Sequence, residues 1–296
     1  MKSALFAGCI VALAATATFA EITVTTATGA VTLAAPPQTV AAYDVAAIDT
    51  MTALDIAVTG APATLYVSYL DSVAQDAAPV GTLFEPDYEK LAILAPDLIV
   101  VGSRSSELAD PLSRVAPVID MSIAGTGILD QTRARIAAFG TLFGKEDRAT
   151  ALAATLDQKL GDARAAVHGK GNALIVLTNG NKISAFGEGS RFGWLHTDLG
   201  LPMAAQGLAA ETHGQAISFE FIEQTDPDWL IVIDRGAAIG QEGAAQATLD
   251  NPLVAKTRAA QSGQIVYLDA APIYVAGGGA MSVMRTLDEL TAAVGG

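Results

Sequence analysis

The sequence predicts an α/β protein of two lobes with mainly parallel sheets, joined by a long rigid helix. Three observations predict it. Short apolar runs bounded by turn or cap residues alternate with helical stretches along the chain. One long helical stretch, almost free of breakers, lies at mid-chain. On either side of it the same helix-turn-strand motif recurs with matched spacing.

The first segment belongs to neither lobe. Lys2 precedes an apolar run from Ala4 to Ala15 that closes in Ala17-Thr18-Phe19-Ala20, the order of parts in a secretory signal peptide. The run is shorter than the roughly 20 residues that a membrane-spanning helix needs. Residues 1–20 are therefore expected to be removed, by cleavage after Ala20 or alternatively after Ala17, leaving a soluble periplasmic chain. The one cysteine, Cys9, lies inside this segment, so the mature chain is expected to hold no internal disulfide and to depend on burial for stability. Phe6-Ala7-Gly8-Cys9 faintly resembles a lipoprotein box, but few apolar residues precede the cysteine, and a lipid anchor is the weaker reading.

Of the 296 residues, 51% are apolar, enough to fill two cores of ordinary size. The formal charge of −14 argues against nucleic acid and anionic membrane as partners. Against that acidic background any arginine facing a ligand stands out.

Strand runs at Val40 to Tyr43, Leu98 to Val101 and Val118 to Met121 assign residues 21–144 to the first lobe. From Leu129 to Val167 the pattern turns helical, with a break near Gly140 to Gly144. Glu146 to Val167 contains no proline and one glycine and would span roughly 30 Å as one helix, which makes residues 145–168 the connector. Gly169-Lys170-Gly171 reopens a strand-first pattern with runs at Ala173 to Leu177, Leu230 to Ile233 and Gln264 to Leu268. Residues 169–296 form the second lobe, ending in a helix from Met281 to Val294 entered through a flexible Gly277-Gly278-Gly279 loop. That glycine run lacks the Lys-Ser/Thr of a phosphate loop.

The two lobes echo each other. Glu89 stands seven residues before Pro96-Asp97, and Leu98-Ile99-Val100-Val101 then leads to Arg104; Glu220 stands seven before Pro227-Asp228, and Trp229-Leu230-Ile231-Val232 leads to Arg235. In open parallel sheets ligands bind beyond the carboxyl ends of the strands, so Arg104 and Arg235 would face a common cleft from opposite walls. The bland alternative pairs them with nearby carboxylates such as Glu107 and Asp234. Glu89 and Glu220 fall in the first turns of their helices, where negative charge complements the dipole, and they also supply one acidic point per lobe for a two-fold partner carrying arginines.

The stretch Val80-Gly81-Thr82-Leu83-Phe84-Glu85-Pro86-Asp87-Tyr88-Glu89, with Leu94 to Arg104, resembles the periplasmic iron-siderophore binding proteins of ABC importers, in their catecholate or petrobactin-type branch. Supporting segments are Ile119-Asp120-Met121, Gly187 to Gly193, His213 to Glu220 and Tyr274 to Gly279. The resemblance implies two Rossmann-like lobes that close slightly around a shallow cleft. It implies ligand contacts by Arg104, Arg191 and Arg235 with His213 and Tyr274, the last two as candidate iron ligands. With such a carrier, Glu89 and Glu220 are expected to dock on the two subunits of a permease dimer.

The chemistry is compatible with that transfer. A ferric tris-catecholate carries three negative charges that three guanidinium groups can meet by charge-assisted hydrogen bonds. A tetradentate chelate leaves iron two coordination positions, which a phenolate and an imidazole can close. On its own sequence context His213 reads as a solvent-facing loop histidine and Tyr274 as a sheet-edge ring, while His168 and His196 read as structural. A zinc or manganese carrier needs more histidines than the three present. A haem carrier is the alternative, with tyrosine on iron and arginines on propionates. An enzyme is not expected, because there is no Gly-x-Ser-x-Gly elbow, mature cysteine nucleophile or His-x-x-x-His pair. The expectation is a monomer with no intrinsic cofactor, whose cargo is a ferric siderophore.

Overall fold

The computed structural model describes residues 21–295; residues 1–20, expected as a signal segment, and with them Cys9 lie outside the described residues. The chain opens with an antiparallel hairpin, β1 (Ile22–Thr26) and β2 (Gly29–Leu33). Only Val24 and Leu33 of it are buried, so its apolar signal is faint and the sequence reading passed over it.

The first sheet contains β3 (Val40–Ala42), β4 (Gly60–Ala61), β5 (Ala78–Pro79), β6 (Leu98–Val101) and β7 (Val118–Asp120), all parallel, in the order β5-β4-β3-β6-β7. Every residue of β3 and β6 is buried, as expected of strands covered on both faces. The second sheet contains β8 (Ala173–Asn179), β9 (Lys182–Phe186), β10 (Gln215–Ile217), β11 (Trp229–Asp234) and β12 (Ile265–Tyr267), in the order β10-β9-β8-β11-β12. Here β8, β11 and β12 are parallel, but β9 and β10 pair antiparallel. The two residues between β8 and β9 leave no room for a crossover helix, so the chain can only return antiparallel.

The internal repeat is structural. The helices Tyr88–Leu94 and Phe219–Thr225 are capped by Asp87 and Ser218, whose side chains accept from Lys90 N and Phe221 N. Each ends on a non-glycine residue in the left-handed region, Ala95 at φ 48° and Asp226 at φ 44°. The following aspartates then join neighbouring strands at their starts. Asp97 Oδ2 accepts from Thr39 N at 2.9 Å, just before β3, and Asp228 Oδ2 accepts from Asn172 N at 2.9 Å, just before β8.

The helical stretch divides into Ile128–Phe143 and Glu146–Val167, with Gly144 in the left-handed conformation between them. The second has 22 residues and spans about 33 Å. The terminal helix Ala280–Gly295, expected as the last element of the second lobe, instead crosses back to pack on the connector and on the first-lobe helix Val45–Ala53. Its anchor is Asp49, a fully buried carboxylate that accepts from Met281 N at 2.7 Å, Ser282 N at 2.9 Å and the Tyr69 hydroxyl at 2.6 Å. The largest hydrophobic cluster accordingly runs through both sheets, the connector and this helix.

Candidate functional site

In both sheets strand order reverses between the first strand and its later neighbour, β3 beside β6 and β8 beside β11. A crevice opens beyond the strands at such points. Here a cavity of about 480 Å³ is lined from the first lobe by Asp44, Arg104 and Ile123 and from the second by Arg191, Trp194 and Tyr274. His213 also lines it.

Arg104 is set by the turn that leaves β6. Ser103 adopts φ 42°, an unfavourable conformation for a residue with a side chain. It is held there by its N–H donating to Ser122 Oγ at 2.7 Å, while the Ser122 hydroxyl donates to Asp120 Oδ1 at 2.5 Å. Gly102 lets the end of β6 pass Asp44, since a Cβ there would lie 2.9 Å from the Asp44 carboxyl. Arg191 is set by the loop between β9 and the helix Trp194–Thr197, where Ser190 Oγ donates to Gly187 O at 2.6 Å and the buried Phe192 ring packs 4.7 Å from that of Phe186.

The three arginines converge on one residue. Arg104 donates to Tyr274 O at 2.6 Å and Val275 O at 3.0 Å, and Arg191 donates to Tyr274 O at 2.7 Å. These carbonyls end the helix Ala270–Val275 and lack intrahelical partners, so the guanidinium groups cap it with the favourable sign of charge. The same two groups lie over the Tyr274 ring, 5.4 Å from its centroid for Arg104 and 4.5 Å for Arg191. Arg235, first residue of the helix after β11, donates from Nε to the Tyr274 hydroxyl at 3.2 Å. The Arg104 bonds join the two lobes across the cavity.

No carboxylate has claimed these cations. Among the described residues the arginine ion pairs involve Arg133, Arg135, Arg148 and Arg258, and Arg104, Arg191 and Arg235 enter none. Asp234, the candidate partner of Arg235, instead caps its own helix and accepts from Ala244 N and Ala245 N at 2.7 Å. Burial, with the Arg104 charge second, lowers Arg191 to about 10. Positive charge is thus concentrated where a desolvated anion would be attracted to it.

The remaining candidates fall out as follows. His213 is an exposed loop residue at the rim of the cavity. His196 is buried with Nδ1 2.8 Å from Leu201 O, and His168 is the C-terminal cap of the connector, both structural positions as expected. Glu89 and Glu220 occupy second positions of equivalent helices and are exposed; a hydrogen bond with the Ser218 side chain holds Glu220 below its ordinary carboxylate range. The triple-glycine loop is pinned rather than loose, for Gly278 O accepts from Thr132 Oγ1 at 2.9 Å. Gly278 sits at φ 84°, and a Cβ on it would stand 2.8 Å from Ile123 Cδ1.

Sequence reasoning missed Asp44 and Arg135. Asp44 Oδ1 caps the helix Val45–Ala53 through Ala47 N and lies 3.3 Å from Arg135 Nη1, forming a buried ion pair beneath the cavity. Asp44 was within reach, since it follows directly on the β3 run. Arg135 lies in the middle of the helix Ile128–Phe143, and nothing in the local sequence marks it as the buried partner of Asp44.

Comparison with known proteins bears on this geometry. A periplasmic binding protein family model matches residues 40–272. The petrobactin-binding protein YclQ of Bacillus subtilis is 36% identical over 258 residues, 86% of this chain and 81% of that protein. Its crystal structure superposes with a TM-score of 0.87 at 33% identity, covering 93% of this chain and 99% of the other. The ferric-anguibactin-binding protein FatB of Vibrio anguillarum is 29% identical over 86% of this chain and 81% of its own. The periplasmic catecholate-siderophore binding protein VctP of Vibrio cholerae matches with a TM-score of 0.84 at 29% identity, covering 92% of this chain and 100% of the other. With its two sheets, connecting helix and inter-lobe cavity, this chain belongs to the periplasmic binding protein family.

Proposed function

We propose that this protein captures a ferric siderophore of catecholate type between its lobes and delivers it to an ABC importer for iron uptake. The observation that carries the reading is the convergence of Arg104, Arg191 and Arg235, which enter no ion pair among the described residues, on Tyr274. The names of the relatives, for petrobactin, anguibactin and catecholate carriers, support the same cargo class.

In this reading the chelate's negative oxygens replace the helix-end carbonyls as partners of Arg104 and Arg191, and aromatic rings of the ligand take over part of their stacking. Where the chelate leaves iron two coordination positions, the Tyr274 phenolate and His213 fill them. The Arg235 contact to the Tyr274 hydroxyl then orients that oxygen and places a positive charge beside the bound complex. Among the described residues no group of three or more His, Cys, Asp or Glu could hold a metal ion, so iron bound here takes most of its ligands from the chelate. The proposal includes two lobes divided by the connector, export by residues 1–20 to the periplasm, action as a monomer, and docking of Glu89 and Glu220 on the permease subunits. It assigns no catalytic role.

The test is fluorescence-quenching titration of the purified protein against ferric catecholate, hydroxamate and citrate complexes. Tight saturable binding confined to catecholates is expected, with broad visible charge-transfer absorption. Binding of none of them, or a Soret band on addition of haem in their place, overturns the reading.

A further inference from the structure

The two helices bearing Glu89 and Glu220 are equivalent in geometry and different in chemistry. In both, the fourth helical residue faces the core, Leu91 in one and Ile222 in the other, each fully buried. In both, the glutamate shares a face with the residue four positions on. In the first lobe that residue is Ile93, 84% exposed; in the second it is Gln224. The residue before it is Ala92 in the first lobe and Glu223 in the second, where Glu223 pairs with Lys256 at 2.7 Å. Among the described residues six large apolar side chains are exposed, and three of them, Phe84 (62%), Tyr88 (45%) and Ile93, fall within ten positions around Glu89.

Three exposed large apolar side chains gathered in one short stretch of an acidic chain point to an interaction site. Its charge decides the class of partner. Glu85, Asp87 and Glu89 are interspersed with the apolar groups, and the one lysine among them, Lys90, is paired with Asp87 at 3.3 Å. A carboxylate-studded patch on a chain of formal charge −14 repels an anionic membrane and complements a protein surface carrying a basic group beside apolar side chains.

We infer that Phe84, Tyr88 and Ile93 form an apolar anchor around Glu89 that docks the first lobe on one permease subunit, so that the two lobes engage the importer by unlike contacts. The inference rests on the proposed docking of Glu89 and Glu220. The first-lobe contact is a buried apolar centre with one charge pair; the second-lobe contact is polar and more sensitive to salt. Loaded protein is thereby held chiefly by one end.

The experiment measures binding of the full mature protein, loaded with ferric 2,3-dihydroxybenzoate, to the importer in phosphatidylcholine nanodiscs. Ile93→Gln, which installs the second-lobe residue, and Phe84→Ser are each expected to weaken binding about tenfold. Ferric-complex affinity and thermal stability should stay at parental values, which excludes misfolding. Glu89→Ala is expected to weaken importer binding as well. Parental binding by both apolar variants alongside a weakened Glu89→Ala overturns the anchor and leaves the docking reading standing. Parental binding by Glu89→Ala and Glu220→Ala removes the docking reading itself. Binding of the parent to empty phosphatidylglycerol nanodiscs, lost in Ile93→Gln, would assign the patch to lipid and overturn the inference.

Discussion

Replacing Asp49 tests whether the terminal helix is held to the first lobe as described. Asp49→Ala leaves Met281 N, Ser282 N and the Tyr69 hydroxyl without their acceptor. Each donor left unmet in the interior costs about 1–3 kcal/mol, and part of that sum is offset because a carboxylate no longer has to be desolvated. The net expectation is a loss of about 3–4 kcal/mol, roughly 10 °C in Tm for a chain of this size. Asp49→Asn keeps an acceptor oxygen for the helix N-terminus and should lose about half as much. Urea denaturation followed by circular dichroism at neutral pH measures both. An alanine variant within about 1 kcal/mol of the parent, or alanine and asparagine variants of equal stability, would refute the anchoring role.

Further outcomes follow from the same geometry. Burial raises the Asp49 carboxyl to about 7, against the lowering pull of Tyr69, Met281, Ser282 and Arg135. The native state therefore keeps a proton that the unfolded chain releases near pH 4; this group's contribution is full below that pH and is lost as pH rises through 7. Denaturation midpoints across pH 4–8 should carry that slope, and Asp49→Asn should flatten it. Arg191→Ala and Arg235→Ala should each weaken ferric bis-catecholate binding more than tenfold by fluorescence titration, in line with about 1.5–3 kcal/mol for a charge-assisted bond; unchanged affinity in both would dismiss the arginine assignment. Gly278→Ala, at φ 84° and against Ile123, should lower stability by about 1–3 kcal/mol and weaken ligand binding, read by calorimetry. Glu89→Ala combined with Glu220→Ala should leave ligand affinity intact and abolish uptake of labelled ferric chelate by cells.

Six strands were legible because parallel strands buried on both faces leave continuous apolar runs, as in Leu98–Val101 and Trp229–Asp234. The repeat was legible for a related reason: a cap, a Pro-Asp turn and a buried strand each demand particular residue types at fixed offsets. By contrast β4 and β5 hold two residues each, too few for any periodicity, and β10 is a half-exposed edge. The arginines could be placed at strand ends from sequence, but their meeting point could not. It depends on Tyr274 and Val275 presenting carbonyls at a helix end more than eighty residues from Arg191. The Asp49 anchor is equally a product of tertiary packing, since nothing near residue 49 specifies where residue 281 will lie.

That anchor constrains the order in which the molecule can be completed. The carboxylate at position 49 meets its partners 232 and 233 positions further along the chain. In an emerging amino-terminal half this group has only the Tyr69 hydroxyl as a partner, and its two backbone donors arrive with the last helix. Early collapse then yields only a provisional structure, and final locking waits for the tail.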